Sequence, residues 1–368
     1  MKLSILQENL HKGLSRCIRI LVNKPQLPIL AHVLISSKSN KILITTTNME
    51  TSIQILLAGK IEEEGDICVP ARLLFELISS LPKDTVSLET DGETLHIKTR
   101  KNKATLPGVV SSEFPPLPEF SSSGGVDLPN DTLRLALGQV IFAAASEESR
   151  PLLTGVRFET APEGTTFVAT DGYRLSLKKI VGEKISENSL VIPSRALSEV
   201  MKISTEEKEQ SMVRMAETVD GQLLFIVGDT TITTRRIEGE YPNYRRTIPS
   251  AYTTQIQMET QELLQAVKSA AIFARDSAGI IRFSITPEEM TVSANTPQVG
   301  ENIIEVDAKV EGEGGSLALN SRFLLDLLSS FPAKELVLQM TGSLNPAVFL
   351  VPEDDSFLHI IMPVRVQS

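Results

Sequence analysis

The stretch Val168-Ala169-Thr170-Asp171-Gly172-Tyr173-Arg174-Leu175-Ser176-Leu177 decides the fold. A β-rich apolar run is broken by Asp-Gly, a pair suited to turning a chain between strands, and then resumes. Related stretches stand on either side at nearly one period: Thr46-Thr47-Asn48-Met49 upstream and Ser293-Ala294-Asn295-Thr296 downstream. Asn48, Asp171 and Asn295 are 123 and 124 residues apart and read as three copies of one Asx turn. Only the middle copy carries Tyr173-Arg174-Leu175. A threefold repeat builds the scaffold, and one copy has been given a task.

Two further features recur with that period, and a fixed period is the mark of repeated units. Apolar residues fall at Leu10, Leu14, Cys17, Ile18 and Leu21, then at Leu133, Leu137, Val140, Ile141 and Ala144, then at Leu263, Val267, Ala270, Ala271 and Ala274. All three sets describe one stripe of a 3.6-residue helix. Pro70-Ala71-Arg72, Pro193-Ser194-Arg195 and Asn320-Ser321-Arg322 each precede a second apolar-periodic run, as a helix start does. Between the helices lie short alternating runs such as Lys41–Thr45, Thr94–Lys98, Leu223–Val227 and Glu335–Gln339, which predict antiparallel strands. Each repeat is thus an α+β unit of two helices and about eight strands, with the helices on one face.

The predicted domains are 1–122, 126–249 and 252–368. Ser121-Ser122-Ser123-Gly124-Gly125 forms the first linker, and a weaker boundary lies near Ser250-Ala251. Glu62-Glu63-Glu64 and Glu353-Asp354-Asp355 read as solvated acidic loops.

Composition narrows the function classes. The chain has 368 residues, 41% hydrophobic and 22% charged, enough for a core in each domain. Cys17 and Cys68 cannot make a disulfide framework. The start Met1-Lys2-Leu3-Ser4 enters a strand directly, and no apolar run approaches membrane-spanning length, so a cytoplasmic protein is expected. A net charge of −10 argues against wrapping nucleic acid by bulk attraction, though basic residues gathered on one surface remain compatible with it. With no Trp and 5% aromatics, stacking platforms for single strands are not expected.

Motifs for catalysis are wanting. The sequence has no phosphate-binding glycine loop, no paired histidines at helical spacing and no cysteine pair at metal spacing. His11, His32, His96 and His359 are scattered, and Asp171 reads as a turn residue before a catalytic acid. No cofactor is expected. Arg72, Arg195 and Arg322 sit where the helix dipole disfavours a cation, so their repetition needs a reason. Two readings fit: phosphate contacts on a shared surface, or a salt bridge repeated with the fold.

Four stretches in order, Leu27-Pro28-Ile29-Leu30, Ala169-Thr170-Asp171-Gly172-Tyr173-Arg174-Leu175, Tyr241-Pro242-Asn243-Tyr244-Arg245-Arg246 and Met362-Pro363-Val364-Arg365, resemble the bacterial sliding clamps, the beta subunits of DNA polymerase III. The resemblance spans the chain. It implies a head-to-tail homodimer closed into a ring of six similar domains, without catalysis of its own, through which duplex DNA passes independently of sequence. It further implies Lys24 as a DNA-facing residue, with Arg72, Arg150, Arg195 and Arg322 as further candidates. The implied partners are the replicative polymerase, an ATP-dependent clamp loader, translesion polymerases, mismatch-repair proteins and ligase.

In that family partners dock a short peptide of Gln-Leu-x-Leu-Phe type in a groove between the second and third domains. Carried over by motif, the groove here comprises Leu153, Thr170, Gly172, Tyr173, Arg174, Leu175, Pro242, Arg246, Thr247, Leu344, Pro346, Ile360, Ile361 and Met362, with Pro363, Val364 and Arg365 leading the tail past it. Tyr173 stands where His is frequent, Thr247 where an aliphatic is common and Pro346 where Ser is found; Gln367-Ser368 extend past the usual end. Two other expectations compete: a β-rich enzyme using Asp171 and Arg174, and a monomeric peptide-binding scaffold that does not encircle DNA.

Overall fold

A computed structural model describes residues 1–117 and 124–365, apart from 148, 183, 187, 208, 277, 299 and 332. Ser121 to Ser123 of the linker and the terminal Gln367-Ser368 lie outside the described residues.

Six α-helices occur among the described residues, two per repeat: α1 (Gln7–Cys17), α2 (Ala71–Ser80), α3 (Asn130–Val140), α4 (Ser194–Glu206), α5 (Thr260–Phe273) and α6 (Ser321–Ser330). The apolar stripes explain them. Leu10, Leu14 and Cys17 are fully buried in α1, as are Leu263, Val267 and Ala270 in α5. The stripe weakens at its fourth position: Ile18, Ile141 and Ala271 are only half-buried. In the first two repeats the helix tightens into a 3-10 turn there, at Ile18–Ile20 and Ile141–Ala143. The three arginine motifs do start helices, but with unequal caps. Pro70 gives no side-chain cap to α2, whereas the Asn320 side chain accepts from the Arg322 amide at the start of α6.

The chain divides into two compact units, 1–133 with 195–236, and 134–194 with 237–368. The division does not follow the repeats, because each unit is built on a sheet that joins strands of two repeats. In the first unit, strand Thr51–Leu57 pairs antiparallel with Thr230–Thr234 within an eight-stranded sheet. In the second, Arg174–Val181 pairs antiparallel with Asp354–Ile361 within a nine-stranded sheet. The remaining two sheets end openly: Lys103–Pro107 is the last strand of a five-stranded sheet, and Gly300–Val306 the first of a four-stranded sheet. By position in their repeats these two correspond to the strands that join elsewhere.

The second unit has a core on one side of its large sheet, around Phe283, Phe349, Phe357 and Ile361. A smaller apolar cluster of Val168, Leu175, Leu177, Tyr241, Tyr244, Val348 and Ile360 covers the other side. The segment Tyr241–Ser250 supplies part of that cover, which positions the site.

Two expectations need correcting. Asn295 lies inside strand Met290–Thr296, opposite Glu301, and the chain turns only after Thr296. Equal spacing was therefore not equal structure, and Asn295 makes no Asx turn. The acidic runs are not free loops either. Glu62 and Glu63 belong to edge strand Gly59–Glu63, with Glu62 paired to Lys2 at 3.1 Å. Asp354 begins strand Asp354–Ile361 and faces Lys178 at 3.4 Å.

Candidate peptide groove

The groove is built on the turn at Asp171-Gly172. Asp171 accepts hydrogen bonds through Oδ1 from the amides of Tyr173 and Arg174, both at 2.9 Å. Thr170 Oγ1 donates to the carbonyl of Arg174 at 2.6 Å and accepts from the Gly172 amide at 3.0 Å. Gly172 sits at φ +91°, where a side chain costs conformational energy, and a Cβ there would lie 3.2 Å from Arg150 Nη1. Glycine thus suits the positive φ of the turn and lets the Arg150 guanidinium approach closely.

Strand Arg174–Val181 leaves the turn and places Leu175 opposite Ile360. Met362 then donates its amide to the carbonyl of Tyr173 at 2.8 Å, extending the pairing past the strand end. These residues enclose a cavity of about 260 Å³, walled by Leu153, Thr170, Leu175, Pro242, Tyr244, Thr247, Ile360 and Met362, with Gly172, Tyr173, Arg174, Asn243 and Arg150 at its edge. The interior is aliphatic and the rim polar, the chemistry of a pocket that takes apolar side chains while fixing a backbone.

Arg174 has two faces. It is 8% exposed, with Nε on Asp171 Oδ2 at 3.0 Å and Nη1 on Asp326 Oδ2 at 2.6 Å. Its guanidinium lies 4.5 Å from the ring centroid of Phe323 and 5.7 Å from that of Phe142, a cation between two aromatic faces. Asp171 and Arg174 are therefore accounted for by the turn and this ion pair, with neither aimed at a reacting centre. Behind the pair a hollow of about 510 Å³ is lined by Arg150, Tyr173, Arg174, Arg322, Phe323 and Asp326 among others.

Tyr244 closes the other side. Its hydroxyl donates to Glu159 Oε2 at 2.9 Å, and burial together with that carboxylate pushes its phenol up to about 12. Burial alone would raise Glu159, but hydrogen bonds from Tyr244 and Arg245 outweigh it and hold the carboxyl below its usual range. Tyr244 is thus pinned and makes a fixed wall.

Several residues expected in the groove stand elsewhere. Ile361 is fully buried in the core on the opposite side of the sheet, because neighbouring strand residues point to opposite faces. Arg246 and Leu344 are exposed and outside the cavity wall. Pro346 lines a separate hollow of about 180 Å³ with Ile248, Val348, Leu350 and Leu358. Pro363 and Arg365 lie past the groove, where the amide of Val364 is held by the carbonyl of Ala318 at 2.8 Å.

The candidate DNA-facing cations fall in both units. Lys24, Arg72 and Arg195 are exposed in the first unit. Arg72 Nη2 donates to Asn23 Oδ1 at 3.0 Å, which ties the start of α2 to the loop that carries Lys24. In the second unit Arg322 and Arg150 share the hollow beside the groove, and Arg150 also lines the groove itself. Sequence reasoning missed Phe142, Phe323 and Asp326. Asp326 lies four residues after Arg322 on α6, so its face was readable, but its partner Arg174 is 152 residues away.

Three helix-pair-and-sheet repeats, fused sheet to sheet and carrying one groove at the second junction, define a clamp-domain protein. Family models agree along the chain: the N-terminal domain of the DNA polymerase III beta subunit matches residues 1–118, its central domain 127–243 and its C-terminal domain 245–365. The beta sliding clamp of Bacillus subtilis is 28% identical over 99% of this chain and its own full length, and that of Staphylococcus aureus 29% over 99% of each. Crystal structures of the Bacillus subtilis clamp and the Streptococcus pneumoniae beta chain superpose with TM-scores of 0.91 and 0.92 at 27% and 28% identity, the first covering both chains fully, the second 99% of this chain and all of its own. The chain belongs to the DNA polymerase III beta subunit family, the beta sliding clamps.

Proposed function

We propose that this protein is a DNA sliding clamp, a non-catalytic processivity factor that encircles duplex DNA and tethers the replicative polymerase through the groove at Gly172 and Met362. Family membership along residues 1–365 carries the reading. The open strands support the assembly. Thr51–Leu57 and Arg174–Val181 each pair with the last strand of the next repeat, while Gly300–Val306 and Lys103–Pro107 are left at sheet edges. Exposed edges invite pairing, and two copies joined head to tail would close both. Ile303, 60% exposed on Gly300–Val306, gives that edge an apolar contact to bury.

Encirclement holds DNA by topology, so weak phosphate contacts from Lys24 and the helix-start arginines suffice and sliding remains free. The same looseness reconciles a net charge of −10 with a DNA-bound role. The groove would bury two apolar peptide anchors at roughly 1.5–3 kcal/mol each, which after ordering costs corresponds to about micromolar affinity. Weak, exchangeable docking suits a protein shared among a polymerase, an ATP-dependent loader, translesion polymerases, mismatch-repair proteins and ligase. No helix among the described residues is long and apolar enough to cross a membrane, and the site of action proposed is the cytoplasm.

The test is loading onto a closed circular plasmid by a clamp loader, followed by linearisation. Retention on the circle and release from the linear form support encirclement; equal retention on both, or none on the circle, contradicts it. Charge reversal at Lys24 and Arg195 should shorten retention without changing peptide affinity.

A further inference from the structure

The first unit contains the groove's turn and paired strand ends a second time. Asn48 Oδ1 accepts from the amides of Glu50 and Thr51 at 3.0 and 2.8 Å, as Asp171 does from Tyr173 and Arg174. Thr47 Oγ1 accepts from the Met49 amide at 3.1 Å and donates to the Thr51 carbonyl at 3.3 Å, as Thr170 does with Gly172 and Arg174. Met49 holds φ +76° where Gly172 holds +91°. Beyond the strand end, the Arg235 amide donates to the Glu50 carbonyl at 3.1 Å, matching Met362 to Tyr173 at 2.8 Å. Bond for bond, the turn and the paired strand ends of the groove occur at both junctions.

The side chains on that backbone differ in one direction. Register places Ser52 opposite Thr233 where the groove has Leu175 opposite Ile360. One step further along the same face, Gln54 and Thr231 stand where the second unit has Leu177 and Leu358. Arg235 occupies the place of Met362, and Met49 that of Gly172. Every apolar wall residue on the paired strands is replaced by a polar one, and the open glycine by a long side chain. Ser52 and Gln54 also spend their polar atoms on neighbours, Thr47 Oγ1 at 2.9 Å and Thr45 Oγ1 at 3.3 Å.

We infer that peptide selectivity between the two junctions resides in these positions, Met49, Ser52, Thr233 and Arg235 against Gly172, Leu175, Ile360 and Met362, and not in the backbone. The first junction is a groove framework closed to apolar peptides by its side chains. A strand-adjacent peptide draws its affinity from burying aliphatic anchors, and a serine–threonine floor offers it no apolar surface to replace water. The inference rests on the peptide-groove reading above.

The experiment is calorimetric titration of a Gln-Leu-Asp-Leu-Phe peptide into the full chain and into a variant with Met49→Gly, Ser52→Leu, Thr233→Ile and Arg235→Met. The expected stoichiometry is one peptide per chain for the native protein and two for the variant, the added site within about tenfold of the first. Two sites in the native protein, or one in a variant whose circular dichroism and melting match the native protein, overturns the inference. A milder variant, Thr233→Ile with Arg235→Met in a chain whose own groove is disabled by Met362→Arg, guards against misfolding. Recovered binding there, or binding that returns once Met49→Gly and Ser52→Leu are added, supports the inference; a folded chain with all four substitutions and no binding overturns it. Absence of binding to the native protein would instead be the failure of the groove reading itself.

Discussion

Met362 and Tyr173, 189 residues apart in sequence, are joined by a 2.8 Å hydrogen bond from amide to carbonyl. Through that bond the C-terminal tail is fixed to the Gly172 turn, and the mouth of the groove becomes a property of two repeats at once. The conformation at Gly172 is therefore coupled to binding. Gly172→Ala is expected to cost about 1 kcal/mol of stability from its positive φ and to weaken peptide binding several-fold as Arg150 is displaced. Met49→Gly, at the corresponding strained position, is expected to stabilise by about 0.5–1 kcal/mol. Urea midpoints of the two variants check the pair; a stable Gly172→Ala with native affinity would refute the coupling.

Arg16 is the largest buried cation of the first unit. It is 2% exposed, with Nε on Glu206 Oε2 at 2.9 Å, Nη2 on Glu207 Oε1 at 2.6 Å and Nη1 on Thr230 Oγ1 at 2.8 Å. It pins α1 of the first repeat to the end of α4 of the second. Arg16→Met is expected to destabilise by roughly 2–4 kcal/mol, because it leaves two partly buried carboxylates short of a partner. Burial opposes ionisation of Glu206 and Glu207, but hydrogen bonds from Arg19, Lys12 and Arg16 win and hold both below the usual carboxylate range. Depressed carboxylates contribute stability above their unfolded pKa and lose it as pH falls through the folded one. The cost of Arg16→Met should therefore shrink below about pH 4.5; denaturation at pH 7 and pH 4 measures it, and a pH-independent cost would count against the ion pairs.

His359 gives a pH dependence of the same sign at higher pH. Its ring is fully buried against Phe142 and Phe349, with neither nitrogen hydrogen-bonded. Burial first, and then the nearby Arg174 charge, pull it down to about 3. The unfolded chain binds a proton near pH 6.5 that the folded chain refuses, so the neutral form's stability is complete above pH 6.5 and falls as pH drops toward 3. The slope approaches roughly 1.4 kcal/mol per pH unit. His359→Phe should flatten the stability profile between pH 6.5 and 5, where carboxylates contribute little. An unchanged slope would place the acid sensitivity elsewhere.

The repeats were legible because helices advertise a 3.6-residue stripe and strands an alternation, and both recur with one period. The Asp171 turn was legible because its hydrogen bonds are local. Asn295 shows the limit of spacing: Asn48 and Asp171 follow the last residue of their strands, whereas Asn295 precedes the last residue of its own, and periodicity does not register so small a shift. Ile361 was misplaced for a related reason, since a motif names consecutive residues while the pleat sends every second one to the other face. The setting of Arg174 was beyond reach, because Phe142, Phe323 and Asp326 come to it from two helical segments far along the chain. Arg150, grouped with the candidate DNA-facing cations, comes beside Gly172 only once the chain is folded.

The central claim is that the cavity between Leu175, Ile360 and Met362 holds partner peptides. A labelled Gln-Leu-Asp-Leu-Phe peptide should be titrated into the native protein and into a variant carrying Arg174→Ala and Met362→Ala. Micromolar binding to the native protein and none to a folded double variant is the predicted result. Equal binding to both, or binding to neither, would contradict it.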